Sequence, residues 1–172
     1  MRLRPFTTAT LLAALVIGGC GDDGANIKTK ADFIAAADSI CVQRDAASTK
    51  LQTSLNNDYD LAKLTGSLAD IYAKAVKDLA ALPLPPGAAR AGAARYVQQT
   101  IALRKPVARM KSTAIDLTAA EKTRKTAIIK NAGQQLQISV STVQALGDVA
   151  DATARAYGMH NCGQAANSNP VS

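Results

Sequence analysis

The chain has 172 residues, a formal net charge of +7, 48% hydrophobic residues and 19% charged residues, which fits one folded domain rather than a disordered chain. Aromatics make up 3% and Trp is absent, which argues against a carbohydrate-stacking groove or a stacking platform for single-stranded nucleic acid. Ala occurs 35 times, while Glu121 is the one glutamate and His160 the one histidine. A site built from several Glu or His ligands therefore cannot be assembled within one chain.

Residues 1–19 read as a leader. Arg2 and Arg4 give a positive start, Thr10 to Gly19 is an uncharged and mostly apolar run, and Gly18 and Gly19 precede Cys20. This is secretory signal architecture, and the run is short of the roughly 20 apolar residues that span a bilayer. Ile17-Gly18-Gly19-Cys20 resembles the bacterial lipobox. The resemblance implies a lipoprotein signal peptide, a diacylglyceryl and palmitate-type modification at Cys20, and anchoring to the extracytoplasmic face of the cell membrane. An ordinary signal peptide with an incidental Cys is the alternative. Loss of Arg2 and Arg4 takes the net charge from +7 to +5. Residues 20–29 then form the lipidated Cys and a flexible tether, in which eight fully extended residues reach about 26–29 Å at most.

With Cys20 assigned to lipid, Cys41 and Cys162 remain as an even pair in an oxidising compartment. A disulfide between them is expected to contribute roughly 4–5 kcal/mol in the chain-entropy model. Free thiols, or a Cys162 reserved for chemistry, are the alternatives.

The first helix is expected to begin at Thr29-Lys30-Ala31-Asp32, a capping pattern. Phe33, Ala37, Ile40, Cys41, Ala47, Leu51 and Leu55 mark its apolar face, and Asn56-Asn57-Asp58 ends it. The second starts near Asp58 or Asp60 and carries a stripe from Leu61 to Leu82, stopped by Pro83-Leu84-Pro85-Pro86-Gly87. The third is expected from Ala88 to Leu117, with Ala94, Val97, Ile101, Ala108 and Ile115 on its face and a kink at Pro106 rather than a division into two helices. Thr118-Ala119-Ala120-Glu121 repeats the capping pattern and reads as the next turn. The fourth helix runs to Tyr157, with Ile128, Ala132, Leu136, Val140, Val143, Leu146, Ala150 and Ala154 in its stripe and Gly158 as a left-handed stop. No segment alternates as a strand would. The expected fold is all-α, an antiparallel up-down-up-down four-helix bundle over residues 30–162, with a polar, mobile tail over 163–172.

Three further motifs carry a resemblance. They are Lys30-Ala31-Asp32-Phe33 with Ala37-Asp38-Ser39-Ile40-Cys41, then Leu82-Pro83-Leu84-Pro85-Pro86, then Tyr157-Gly158-Met159-His160-Asn161-Cys162. In this order the chain resembles the small secreted or lipid-anchored helical proteins common in high-G+C Gram-positive bacteria. That resemblance implies an exported α-helical domain with paired cysteines. It implies no activity and supplies no catalytic residue.

Catalytic and cofactor signatures are missing from the sequence. One Glu and one His exclude a di-iron carboxylate bundle within one chain, and there is no Cys-x-x-Cys-His, phosphate-binding loop or nucleophile elbow. Met110 and His160 could serve as haem ligands, and Met159-His160-Asn161-Cys162 holds soft copper ligands unless it is simply a turn that positions the disulfide. Charge offers another candidate: Arg104, Lys105, Arg109, Lys111, Lys122, Arg124, Lys125 and Lys130 face only Asp116 and Glu121, a net +6. Such a hairpin could bind anionic cell-wall polymer or an anionic surface, or it is a solvated charged turn. The expected function is a non-enzymatic binding or interaction module of the cell envelope, partnered with the membrane and with wall polymer or an envelope protein, without a cofactor and without nucleic acid. A metal- or haem-binding redox bundle is the alternative.

Overall fold

The computed structural model of the chain describes residues 26–54 and 60–163. The leader, Cys20, the Asn56-Asn57-Asp58 turn and the tail beyond Gly163 lie outside them. Five α-helices follow in order: α1 Lys30–Ser54, α2 Leu61–Ala81, α3 Arg90–Ala102, α4 Arg104–Thr123 and α5 Thr126–Tyr157, with a 3-10 turn Gly87–Ala89 before α3. No strand occurs among the described residues.

Local chemistry sets most of the boundaries. Thr29 Oγ1 accepts from the Asp32 N–H at 3.1 Å, and Asp32 Oδ2 accepts from the Thr29 N–H at 2.8 Å, which is the reciprocal cap expected for α1. Asp60 Oδ1 accepts from the Lys63 N–H at 2.8 Å and starts α2. At the far end of α5, Gly158 adopts φ +99° and closes the helix, with the Met159 N–H returning to Ala154 O at 2.9 Å.

The middle of the chain differs from expectation in two ways. A single residue, Leu103, separates α3 from α4, and its φ of −71° and ψ of −18° keep the backbone right-handed. Pro106 has no N–H to offer the Ala102 carbonyl, so the helical ladder is interrupted there and resumes with the Val107 N–H on Leu103 O at 2.9 Å. Continuation through this interruption runs six residues past the expected end at Leu117. Thr118 caps nothing; its hydroxyl donates back to Ala114 O at 3.2 Å inside α4. Leu117 and Ala120 are buried there, so packing carries the helix on to Thr123. Arg124, at φ 54°, ends it in a left-handed conformation.

The buried face of α3 and α4 is also displaced by one position from the expected stripe. Ala108 and Ile115 are exposed, while Leu103, Val107, Met110, Ala114 and Leu117 are buried. A polar residue, Thr100, occupies the step that links Val97 to Leu103 and hides the true periodicity. Ala47 on α1 is exposed as well.

Three apolar clusters succeed one another along the helical bundle. Phe33, Ala37 and Cys41 of α1 meet Leu79, Ala93, Tyr96, Ala154, Tyr157, Met159 and Cys162 in the first. Ala69 and Val76 meet Leu103, Val107, Met110 and Val143 in the second. Ala62, Ala114, Leu117 and Leu136 form the third. α1 contributes buried residues to the first cluster alone. It packs chiefly on α2, while α2 and α5 each pack mainly on α3 and α4.

Candidate functional site

The paired cysteines are joined, Cys41 to Cys162, with Cα atoms 5.2 Å apart. The residues around them show why. Asp38, one turn before Cys41 and buried, accepts backbone N–H bonds from His160, Asn161 and Cys162, each at 2.9 Å. Its carboxylate thus folds the chain after α5 back onto α1. Tyr157 reinforces the same corner: its ring meets Phe33 edge-on at 5.9 Å, and its hydroxyl donates to Ala89 O at 2.9 Å. Gly92 lets α3 approach that ring, since a Cβ there would lie 2.5 Å from it. This arrangement makes Met159-His160-Asn161-Cys162 a structural turn. Met159 is in the core, Cys162 has no thiolate to offer, and Met110 lies in a different cluster from the segment carrying His160. No group of three or more His, Cys, Asp or Glu stands ready for a metal among the described residues.

The eight cations of the expected basic hairpin are all exposed, but they do not gather at one pole. At 1.5 Å per residue, Arg104 lies about 27 Å along α4 from Lys122. Lys111 is paired with Asp70 of α2 at 2.6 Å. Only Lys122, Arg124, Lys125 and Lys130 share the α4–α5 turn, and Lys105 and Arg109 stand further back along α4. A shallow, open groove beside this turn is lined by Arg109, Asp116, Asn131 and Gln135 together with Ala119, Ile128 and Ala132.

A more enclosed site was not anticipated from the sequence. A cleft of about 390 Å³ opens between α2 and α5 over the face of α3 and α4. This is within the usual 300–1,000 Å³ of ligand pockets. Leu64, Leu68, Val76, Leu103, Met110 and Val143 line most of it. Leu61 and Val140, both expected in the core, remain 51% and 38% exposed as part of its lining. Gly147 also lines it, and a Cβ there would meet nothing within 4 Å.

One end of this cleft is polar. Arg44 reaches it from α1, with its Nε 2.7 Å from Asp45 Oδ1 and its guanidinium 5.6 Å from the centre of the Tyr72 ring. Burial disfavours the Arg44 cation, but the hydrogen bond and charge of Asp45, together with Tyr72 and Asp151, outweigh that effect and raise its pKa. Asp148 and Asp151 of α5 lie across from it. Burial pushes the Asp151 carboxyl up to about 6, with Arg44 pulling the other way. Burial also raises Tyr72, and raises Tyr96 to about 12; the Tyr96 hydroxyl lies 3.8 Å from Cys41 Sγ.

Thr100 is the unusual member of this group. Thr65, Thr113, Thr118 and Thr142 each donate to the carbonyl four residues back, the ordinary arrangement for a helical threonine. Thr100 is 2% exposed and does not. Its Oγ1 makes no well-formed hydrogen bond, although it lies close enough to the Tyr96 hydroxyl to pull that group's pKa down against the larger effect of burial. Such a group costs about 1–3 kcal/mol, and it lines the cleft.

The chain matches no family model, no curated protein and no solved structure. No described helix is long and apolar enough to cross a membrane.

Proposed function

We propose that this chain is an exported, lipid-anchored, non-enzymatic binding module of the cell envelope, and that its ligand is an apolar molecule held in the α2–α5 cleft. Cys20 is the anchor, and the domain stands on a short tether at the extracytoplasmic face of the membrane. Its helices run up-down-up-down, with α3 and α4 together as the third. The order of the clusters supports this, since Ala93, Met110 and Leu117 ascend as Ala154, Val143 and Leu136 descend.

The observation that carries the binding reading is the cleft itself. Leu61 of α2 and Val140 of α5, at positions expected in the core, stand 51% and 38% exposed in its lining, above a floor of buried Leu64, Leu103, Met110 and Val143. Burying such surface contributes roughly 25 cal/mol per Å², so a chain that leaves it open is stabilised by whatever apolar molecule fills it. The metal or haem alternative has no comparable support, because Met159 and Cys162 serve the disulfide corner and Met110 lies in a different cluster.

Titration with a neutral apolar dye such as Nile red tests this reading. Saturable binding to one site, competed by long-chain alcohols, is expected. Absence of saturable binding contradicts it. Separately, Cys20→Ala should abolish detergent partitioning and the lipid mass increment; unchanged partitioning removes the anchor.

A further inference from the structure

We infer that the polar end of the α2–α5 cleft receives a protonated amine carried on a single apolar chain. This inference rests on the cleft reading above and adds the chemistry of the ligand's head. Arg44 does not supply a free positive charge there. Asp45 pairs with it at 2.7 Å, and Tyr72 stands over its guanidinium. Asp148 and Asp151, one turn apart on α5 and both lining the cleft, have no cation within 4.0 Å among the described residues. Counting Arg44, Asp45, Asp148, Asp151 and Arg155 as ionised, this end carries a net charge of −1.

Thr100 supplies an independent pointer to a ligand. Its hydroxyl is buried at the cleft wall, makes no well-formed hydrogen bond, and is not turned back to its own helix. An ammonium group at Asp148 and Asp151 meets carboxylate acceptors suited to its donors, with Thr100 in the wall of the same cleft. A carboxylate in the same place meets two like charges. The remainder of the cleft, with Leu64, Leu68, Met110 and Val143, provides the apolar bed for the chain.

The charged and titratable groups acting on Asp151 are Arg44 and Asp45 from α1, Tyr72 from α2, and Asp148 and Arg155 from α5, with Tyr96 of α3 lining the same end. Its carboxyl, held up to about 6 by burial, must be ionised to pair with the amine. Amine affinity should therefore fall as pH drops from 7.5 to 5, while affinity for a neutral chain should not.

The test compares dodecylamine, dodecanol and dodecanoate, all below their micellar range, on the full chain carrying Cys20→Ala with its disulfide formed. Dodecylamine should bind at least about tenfold more tightly than dodecanoate at pH 7.5. Asp151→Asn should reduce the amine affinity about tenfold and leave dodecanol unchanged. Thr100→Val, which keeps the side-chain shape, should weaken the amine alone. Equal binding of all three, or a preference for dodecanoate that Arg44→Gln removes, overturns the amine head while the cleft reading stands. No binding of any of them overturns both.

Discussion

The disulfide corner and the α2–α5 cleft adjoin one another and are built in opposite ways. At the corner, Asp38 satisfies three N–H groups, Tyr157 bonds Ala89 O and packs on Phe33, and Cys41 is bonded to Cys162. A few residues away, the cleft holds a Thr100 without a well-formed hydrogen bond, a carboxyl at Asp151 raised by burial, and apolar positions left half open at Leu61 and Val140. Alanine explains the need for the corner. The third cluster depends on Ala62 and Ala114 beside Leu117 and Leu136, and small side chains bury little area each. A fixed corner ties α1 to the end of α5 while the walls of the cleft remain apart. Functional sites commonly carry such unfavourable local features, supported from elsewhere in the fold.

Breaking the corner should have the largest effect. Cys41→Ala with Cys162→Ala should lower the unfolding free energy by about 4–5 kcal/mol, as expected for opening so long a loop, measured by urea denaturation. Asp38→Ala leaves three N–H groups without their acceptor and should cost about 3 kcal/mol. A loss below about 1 kcal/mol for Asp38→Ala would mean that the turn at residues 158–162 holds itself.

The far end of α4 offers a smaller gain. Arg124 occupies a left-handed conformation at φ 54°, where a glycine has no Cβ penalty. Arg124→Gly should raise stability by about 0.5–1 kcal/mol. If salt at high concentration gives the wild type the same gain, charge repulsion rather than backbone strain is responsible.

The cleft should respond to pH. Asp151 has a higher pKa folded than its ordinary 3.8, so the folded state binds the proton more tightly and the carboxyl opposes folding once ionised. That opposition is absent below about pH 3.8 and complete above about pH 6. Asp151→Asn should accordingly be more stable than wild type at pH 7.5, with the difference disappearing as pH falls through that window. Paired denaturation curves at pH 4 and 7.5 measure it. Equal differences at both values would remove Asp151 from the account.

The corner was more legible in the sequence than the cleft, for physical reasons. Thr29 with Asp32, the cysteine pair and Gly158 are local or countable features. Asp38 was not recognisable, because its role exists only once residues 160–162 are folded against it across more than 120 positions. Thr118 and Glu121 imitate a cap by spacing, but the burial of Leu117 and Ala120 decides for helix. Leu61 and Val140 belong to the same stripes as the true core, and periodicity does not distinguish an apolar face that meets another from one that lines an opening. Thr100 gives the one local hint: a polar residue on the buried face of α3.

Gly147 provides the most direct test of whether the cleft is a site or a packing gap. No positive φ is recorded for it and a Cβ would meet nothing within 4 Å, so the fold does not require glycine there, whereas an open cleft does. Thermal denaturation and Nile red titration of Gly147→Leu should be measured together. A site predicts stability raised by about 1 kcal/mol through helix propensity, with dye binding abolished. Raised stability with undiminished binding would contradict the account, because the ligand would then lie elsewhere.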